Sequence, residues 1–146
     1  MKLRTSLIIF SIMFTFSCSK KDVMMEKDFS ARFYPQTWKL FKMTGSFENS
    51  ETTGEAMAWQ EEYTFYSNGS VEKLRPREGE SSGITGNYSF FQEDERQGIL
   101  IEYEFENSLT GSCTGKEETL YFDPTGTILN SSWWACDGPG LFYKRK

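Results

Sequence analysis

Residues 99–106 read Ile-Leu-Ile-Glu-Tyr-Glu-Phe-Glu, with Ile99, Ile101, Tyr103 and Phe105 alternating against Glu102, Glu104 and Glu106. Successive side chains of an extended chain point to opposite faces, so this period of two predicts a strand with one buried and one wet face. Three carboxylates in line along one strand point the same way without converging on an ion, so the acidic face is a solvated one. From Trp38 onward the same grain recurs as short aromatic and β-branched runs broken by Gly, Asn, Asp and Pro. It predicts eight strands, at 37–44, 57–66, 70–75, 86–92, 99–106, 117–123, 127–134 and 140–145. No amphipathic helix interrupts them.

Two turns are strongly marked. Ser67-Asn68-Gly69 predicts a tight hairpin, because Asn and Gly accept positive φ at little cost. Asp123-Pro124-Thr125-Gly126 suits a type I turn with Gly126 left-handed. A hairpin folded about Pro124 and Thr125 would set Leu120 opposite Leu129 and Cys113 opposite Cys136, within reach of a disulfide. Such a bond contributes about 3 kcal/mol in the chain-entropy account. In the strand 127–134, Trp133 and Trp134 would lie on opposite faces, one buried and the other either packed under a loop or exposed to stack on a sugar or partner.

Sequential hairpins without a helical crossover favour an all-β, antiparallel up-and-down barrel of eight strands over a sandwich. The interior of such a barrel either fills with side chains or holds one small ligand. If it is hollow, its expected ligand-lining residues are Tyr63, Phe65, Tyr88, Phe90, Ile101, Tyr103 and Phe105.

The chain opens differently. Lys2 and Arg4 precede an uncharged run over residues 7–16, the basic and apolar regions of a secretory signal. A membrane-spanning helix needs roughly 20 apolar residues, so the run is too short to span. Thr15-Phe16-Ser17-Cys18 then resembles the lipobox of bacterial lipoproteins. The resemblance implies cleavage before Cys18 and acylation of its thiol and new amino group, and two or three acyl chains anchor a protein stably. Ser19 in place of Asp points to the outer membrane. The division expected is a signal peptide at 1–17, a lipidated cysteine and tether at 18–33, and a barrel domain at 34–146.

Composition narrows the chemistry. The net charge is −5, with 21 acidic against 16 basic residues, and the signal removes two more bases, which argues against nucleic acid. There is no histidine, which excludes Ser-His-Asp and Cys-His catalysis and the commonest zinc ligand. With Cys18 acylated, Cys113 and Cys136 are an even pair in an oxidising compartment, the usual setting of a disulfide. Gly111 to Lys116 lacks phosphate-loop spacing, and Glu93-Asp94-Glu95 lacks the spaced pattern of a calcium loop. Arg75-Pro76-Arg77 reads as surface charge balance. No catalytic residue, metal or cofactor is expected, and the chain does not read as an enzyme.

Trp38-Lys39-Leu40, Tyr63-Thr64-Phe65, Gly86-Asn87-Tyr88 and Cys136-Asp137-Gly138-Pro139, in this order, resemble the lipocalin-like lipoproteins of bacteria. The resemblance implies a calycin-type barrel closed at one end by Trp38 stacked under Arg145, a structural role. It also implies a lipid-anchored binding domain for a small apolar or amphipathic molecule. With seven Tyr, four Trp and 13 Phe, more aromatics are present than a barrel interior can seat, which suits a pocket mouth or a binding surface. The alternative is a packed structural or interaction barrel that binds a protein or glycan through its surface.

Overall fold

The computed structural model describes Phe29, residues 31–77 and residues 80–146. The expected signal peptide and Cys18 lie outside the described residues. The strands are β1 (Gln36–Thr44), β2 (Thr52–Thr53), β3 (Glu62–Phe65), β4 (Ser70–Arg77), β5 (Glu80–Glu93), β6 (Arg96–Tyr103), β7 (Glu117–Phe122), β8 (Ile128–Ser131) and β9 (Gly140–Arg145). Every neighbouring pair is antiparallel, and the strands from β3 to β9 follow one another in chain order. β9 returns to β1, from Trp38 opposite Arg145 to Thr44 opposite Gly140. This closes an eight-stranded up-and-down barrel, consistent with a calycin-like barrel, and β2 adds a two-residue flap outside it.

Alternation decides which side chains enter. Trp38 and Leu40 on β1, Tyr63 and Phe65 on β3, Ile99, Ile101 and Tyr103 on β6, and Leu141 and Tyr143 on β9 are buried. A bulge between Leu40 and Lys42 slips the phase of β1 by one residue, so Met43 also turns inward. The two ends differ. At the proximal end lie Phe29, the start of β1, the end of β9, and the β3–β4, β5–β6 and β7–β8 hairpins. At the distal end lie the β1–β2, β6–β7 and β8–β9 connections.

Several expected boundaries move. Residues 57–61 are not strand, although Met57 is buried and the amide of Leu40 donates to the Glu61 carbonyl. β5 runs back to Glu80, further than its Gly83 and Gly86 suggest. A Cβ at Gly86 would lie 2.5 Å from the Glu102 carbonyl oxygen, so the glycine is there for close strand contact. β8 ends at Ser131, and Trp133–Cys136 form a 3-10 turn, so the two indoles are not set by strand alternation. The β7–β8 register is also shifted by two residues from the expected one: Leu120 faces Ser131 and Phe122 faces Leu129. The Asp123 carboxylate causes the shift. It accepts from the amides of Thr125, Thr127 and Ile128, which holds a wider loop with Gly126 at φ 70°.

Candidate functional site

Counting by twos from buried apolar and aromatic residues leads to four charged residues on the inward face. Glu61 precedes Tyr63, Lys73 and Arg75 follow Val71, and Glu118 precedes Leu120. All four are buried in the distal half of the barrel. Lys73 Nζ lies 2.5 Å from Glu118 Oε1 and 3.7 Å from Glu61 Oε1. Arg75 Nε and Nη2 each reach Glu61 Oε2 at 2.8 Å. Two cations thus face two carboxylates, and the quartet is neutral within itself. Isolated buried charges are prohibitively unfavourable, so pairing is what allows the cluster to exist.

Aromatic hydroxyls complete it. Tyr63 and Tyr103 donate to Glu118 Oε2 at 2.9 and 2.5 Å, and Tyr143 donates to Glu61 Oε1. Trp59 Nε1 donates to Glu61 Oε2 at 3.1 Å, while its ring covers the Arg75 guanidinium at 4.6 Å. Trp133 packs beside Trp59, with ring centroids 6.4 Å apart. The strap 107–111 seals the cluster. Asn107 Oδ1 folds it by accepting from the amides of Leu109 and Thr110. The Leu109 carbonyl then accepts from Lys73 at 2.7 Å and Arg75 at 3.3 Å, and the Gly111 amide donates to Glu118. A Cβ at Gly111 would lie 3.0 Å from Trp133 and 3.1 Å from Glu118, so a larger residue would lift the strap. Within the strap, Thr110 Oγ1 is buried without a hydrogen-bond partner among the described residues.

The cluster fixes protonation states. Burial pushes the Tyr63, Tyr103 and Tyr143 phenols well above their ordinary value, and the nearby carboxylates push further. Burial also raises Glu118, but the Lys73 charge and the hydrogen bonds from Lys73, Tyr103 and Gly111 outweigh it and hold the carboxyl below its ordinary value. Three neutral phenols and an ionised Glu118 follow at neutral pH.

The proximal half is different. Phe29 stacks on Trp38 and meets Phe65, Phe90 and Phe122 edge-on, with centroids 4.9 to 6.2 Å apart. Tyr88 sits edge-on to Phe65 and bonds Tyr34 and the Tyr66 carbonyl through its hydroxyl.

The expected lining residues therefore part ways. Tyr63, Phe65, Ile101 and Tyr103 point inward, where side chains of the barrel itself surround them. Tyr88 is half-buried, and Phe90, at 38% exposed, lies at the proximal rim. Phe105 is corrected: it falls two residues beyond the end of β6 and is 68% exposed. Arg75 is corrected too, being an interior residue of the quartet and not surface charge balance. Trp38 and Arg145 face each other in the closing ladder, with the Arg145 guanidinium 5.6 Å from the Phe33 ring. Cys113 and Cys136 are bonded, with Cα atoms 5.8 Å apart. The bond joins the β6–β7 loop to the 3-10 turn after β8, not two facing ladder positions. Among the described residues, no three His, Cys, Asp or Glu side chains gather as metal ligands.

Apart from Arg75, expected as surface charge, the members of the quartet carry no mark of their own in the sequence, because a charged residue at a strand position looks the same facing water as facing a buried partner. The only signal is phase, since each member shares the parity of a buried neighbour. The distal loops also expose Phe47, Phe105 and Trp134 at 76%, 68% and 65%. Comparison with protein-family models, curated proteins and solved structures found no match for the chain.

Proposed function

We propose that this chain is a lipid-anchored, lipocalin-like packed barrel, not an enzyme, that binds another protein or a glycan through its surface. The filled interior carries this reading. Phe65, Ile99, Ile101, Leu120, Leu129 and Tyr143 have no accessible surface, so not even a water molecule fits against them. The polar positions of the interior already satisfy one another in the Lys73–Glu118 and Arg75–Glu61 pairs. A barrel fold is compatible with a binding domain, and in this one the contact area left is external.

The aromatics of the three distal loops supply that area. Phe47, Phe105 and Trp134 are large apolar faces held in water, and carboxylates beside them (Glu48, Glu104 and Glu106) offer acceptors for hydroxyl groups. The disulfide fastens the loop carrying Phe105 to the turn carrying Trp134. Acylation at Cys18 holds the protein at the cell envelope, on the outer membrane. Phe29 then marks the membrane-near end, and the three loops face away.

Native mass spectrometry of protein purified from its own envelope tests the interior. An empty barrel that leaves an apolar fluorescent probe dark is expected; a stoichiometric bound small molecule would reinstate the internal-ligand reading. Cys18→Ala tests the anchor, and the variant should leave the membrane fraction.

A further inference from the structure

We infer that the β1–β9 edge of the proximal end is a binding site for the phosphate of an anionic lipid headgroup. An open pocket of about 280 Å³ lies there, lined by Trp38, Gly126, Thr127, Lys144 and Arg145. Two of its five lining residues are cations, in a chain whose net charge is negative. Lys146 follows directly, Lys39 sits across the ladder from Lys144, and Arg32 is exposed on the turn that precedes β1. A hydroxyl, a glycine and paired cations around a concavity are the donors that a phosphate recognises.

Among the described residues, the acids nearest this edge are Asp123 and Glu62. Asp123, in the adjoining hairpin, turns its carboxylate into its own loop, toward the amides of Thr125, Thr127 and Ile128. Glu62 lies opposite Lys39 in the β1–β3 ladder. The acidic run Glu93-Asp94-Glu95 is on the β5–β6 hairpin, which neither β1 nor β9 adjoins. Among the described residues, Arg32, Lys39, Lys144, Arg145 and Lys146 thus gather on one side of the proximal end.

Two observations choose a lipid over a free phosphate. The site is at the end marked by Phe29, which lies within the expected tether, so an anchored chain would present it toward the bilayer. Phe33, 48% exposed, stands under the Arg145 guanidinium and adds an apolar ring beside the cations, the pairing found where side chains enter a headgroup layer. Basic residues at an anionic leaflet attract it within a Debye length, so the edge would orient the barrel on its anchor. The orientation rests on the anchored reading; headgroup recognition does not, and the two are tested apart.

All nine strands, the core and the disulfide lie within the described residues, so a lipid-free chain of residues 19–146 keeps the whole barrel. Its co-sedimentation is measured with vesicles of phosphatidylcholine alone and of phosphatidylcholine mixed with phosphatidylglycerol. Binding only to the mixed vesicles, weakened by salt, is expected. Lys144→Gln and Lys146→Gln should each weaken it about fivefold, with thermal unfolding unchanged. Lys116→Gln, at the distal end, should leave it intact. No binding, equal binding to neutral vesicles, or indifference to the Lys144 and Lys146 substitutions would overturn the inference. So would binding of soluble glycerol phosphate without binding to vesicles, which would mark a free-phosphate site. Loss of vesicle binding leaves the Cys18→Ala result untouched, so either reading can fail alone.

Discussion

The two halves of the barrel interior solve the same packing problem with opposite materials. Proximally, Phe29, Trp38, Phe65 and Phe122 fill the space with rings that need little beyond contact, the Trp38 indole N–H alone donating to Gln36 Oε1 at 3.2 Å. Distally, Lys73, Arg75, Glu61 and Glu118 fill it with charges that need every partner they have. Losing one ring opens a hole, which neighbours partly close. Losing one charge leaves its counterpart buried and unpaired, which nothing nearby corrects. The distal half is therefore the more specific of the two and the more fragile.

The sharpest way to break this comparison is Lys73→Met, which keeps the stem and removes the ammonium. Glu118 would remain buried with only neutral donors, so a loss of about 3–5 kcal/mol is expected from urea unfolding. Adding Glu118→Gln should restore part of that loss, because the amide oxygen still accepts from Gly111 and carries no charge. A single variant no less stable than the parent would show that the quartet is structurally idle.

At the proximal end, Phe29→Ala removes the ring that Trp38, Phe65, Phe90 and Phe122 all touch. Its expected loss is about 3 kcal/mol, the lower part of the range for a deleted core Phe, since a site near the rim can collapse or admit water. The same denaturation read at several pH values should show a uniform drop, because no charge is involved.

This contrast also sets how much the sequence reveals. Alternation in 99–106 marks the inward face of β6 through Tyr103, and Asn68-Gly69 marks the β3–β4 hairpin, where Asn68 Oδ1 accepts from the Ser70 amide and Gly69 has φ 86°. Apolar burial leaves a pattern because water rejects those residues wherever they sit. Charged burial leaves none, because Lys73 looks the same facing water as facing Glu118. Only the parity of Val71, Lys73 and Arg75 carries the information, and the partners come from strands far apart in sequence. The strap is harder still: Leu109 acts through its carbonyl, which no side-chain pattern encodes.

Alkaline titration separates the halves next. The Tyr63, Tyr103 and Tyr143 phenols are held well above their ordinary value of 10.0 by burial first and then by the carboxylates. Folded values above unfolded ones mean stability fully present below pH 10 and falling above it. The slope approaches about 1.4 kcal/mol per pH unit for each tyrosine. Phenolate absorbance should lag for these three until the barrel unfolds. Proximal Tyr88 is also raised, by burial and its bond to Tyr34, but it is only half-buried and its share is screened. Tyr143→Phe should therefore flatten the alkaline limb more than Tyr88→Phe; the reverse order would place the sensitive tyrosines at the wrong end.

The smallest effect is acidic and rests on single carboxylates. Burial pushes Glu118 up, and the Lys73 charge, with hydrogen bonds from Lys73, Tyr103 and Gly111, pulls it below 4.5. A folded value below the unfolded one means its contribution is complete above about pH 4.5. It is lost as pH falls through the lower folded value, at no more than about 1.4 kcal/mol per pH unit. Asp123 is lowered as well: burial raises it, but the Thr125 hydroxyl and the amides of Ile128, Thr125 and Thr127 outweigh that. Because Asp123 is at the proximal end and largely solvated, it makes the natural control. Glu118→Gln should start less stable at neutral pH yet lose less on acidification, so that variant and parent converge below pH 4. Asp123→Asn should leave the steepness nearly as it was. If Asp123→Asn flattens the acid limb and Glu118→Gln does not, the buried quartet is not what acid attacks.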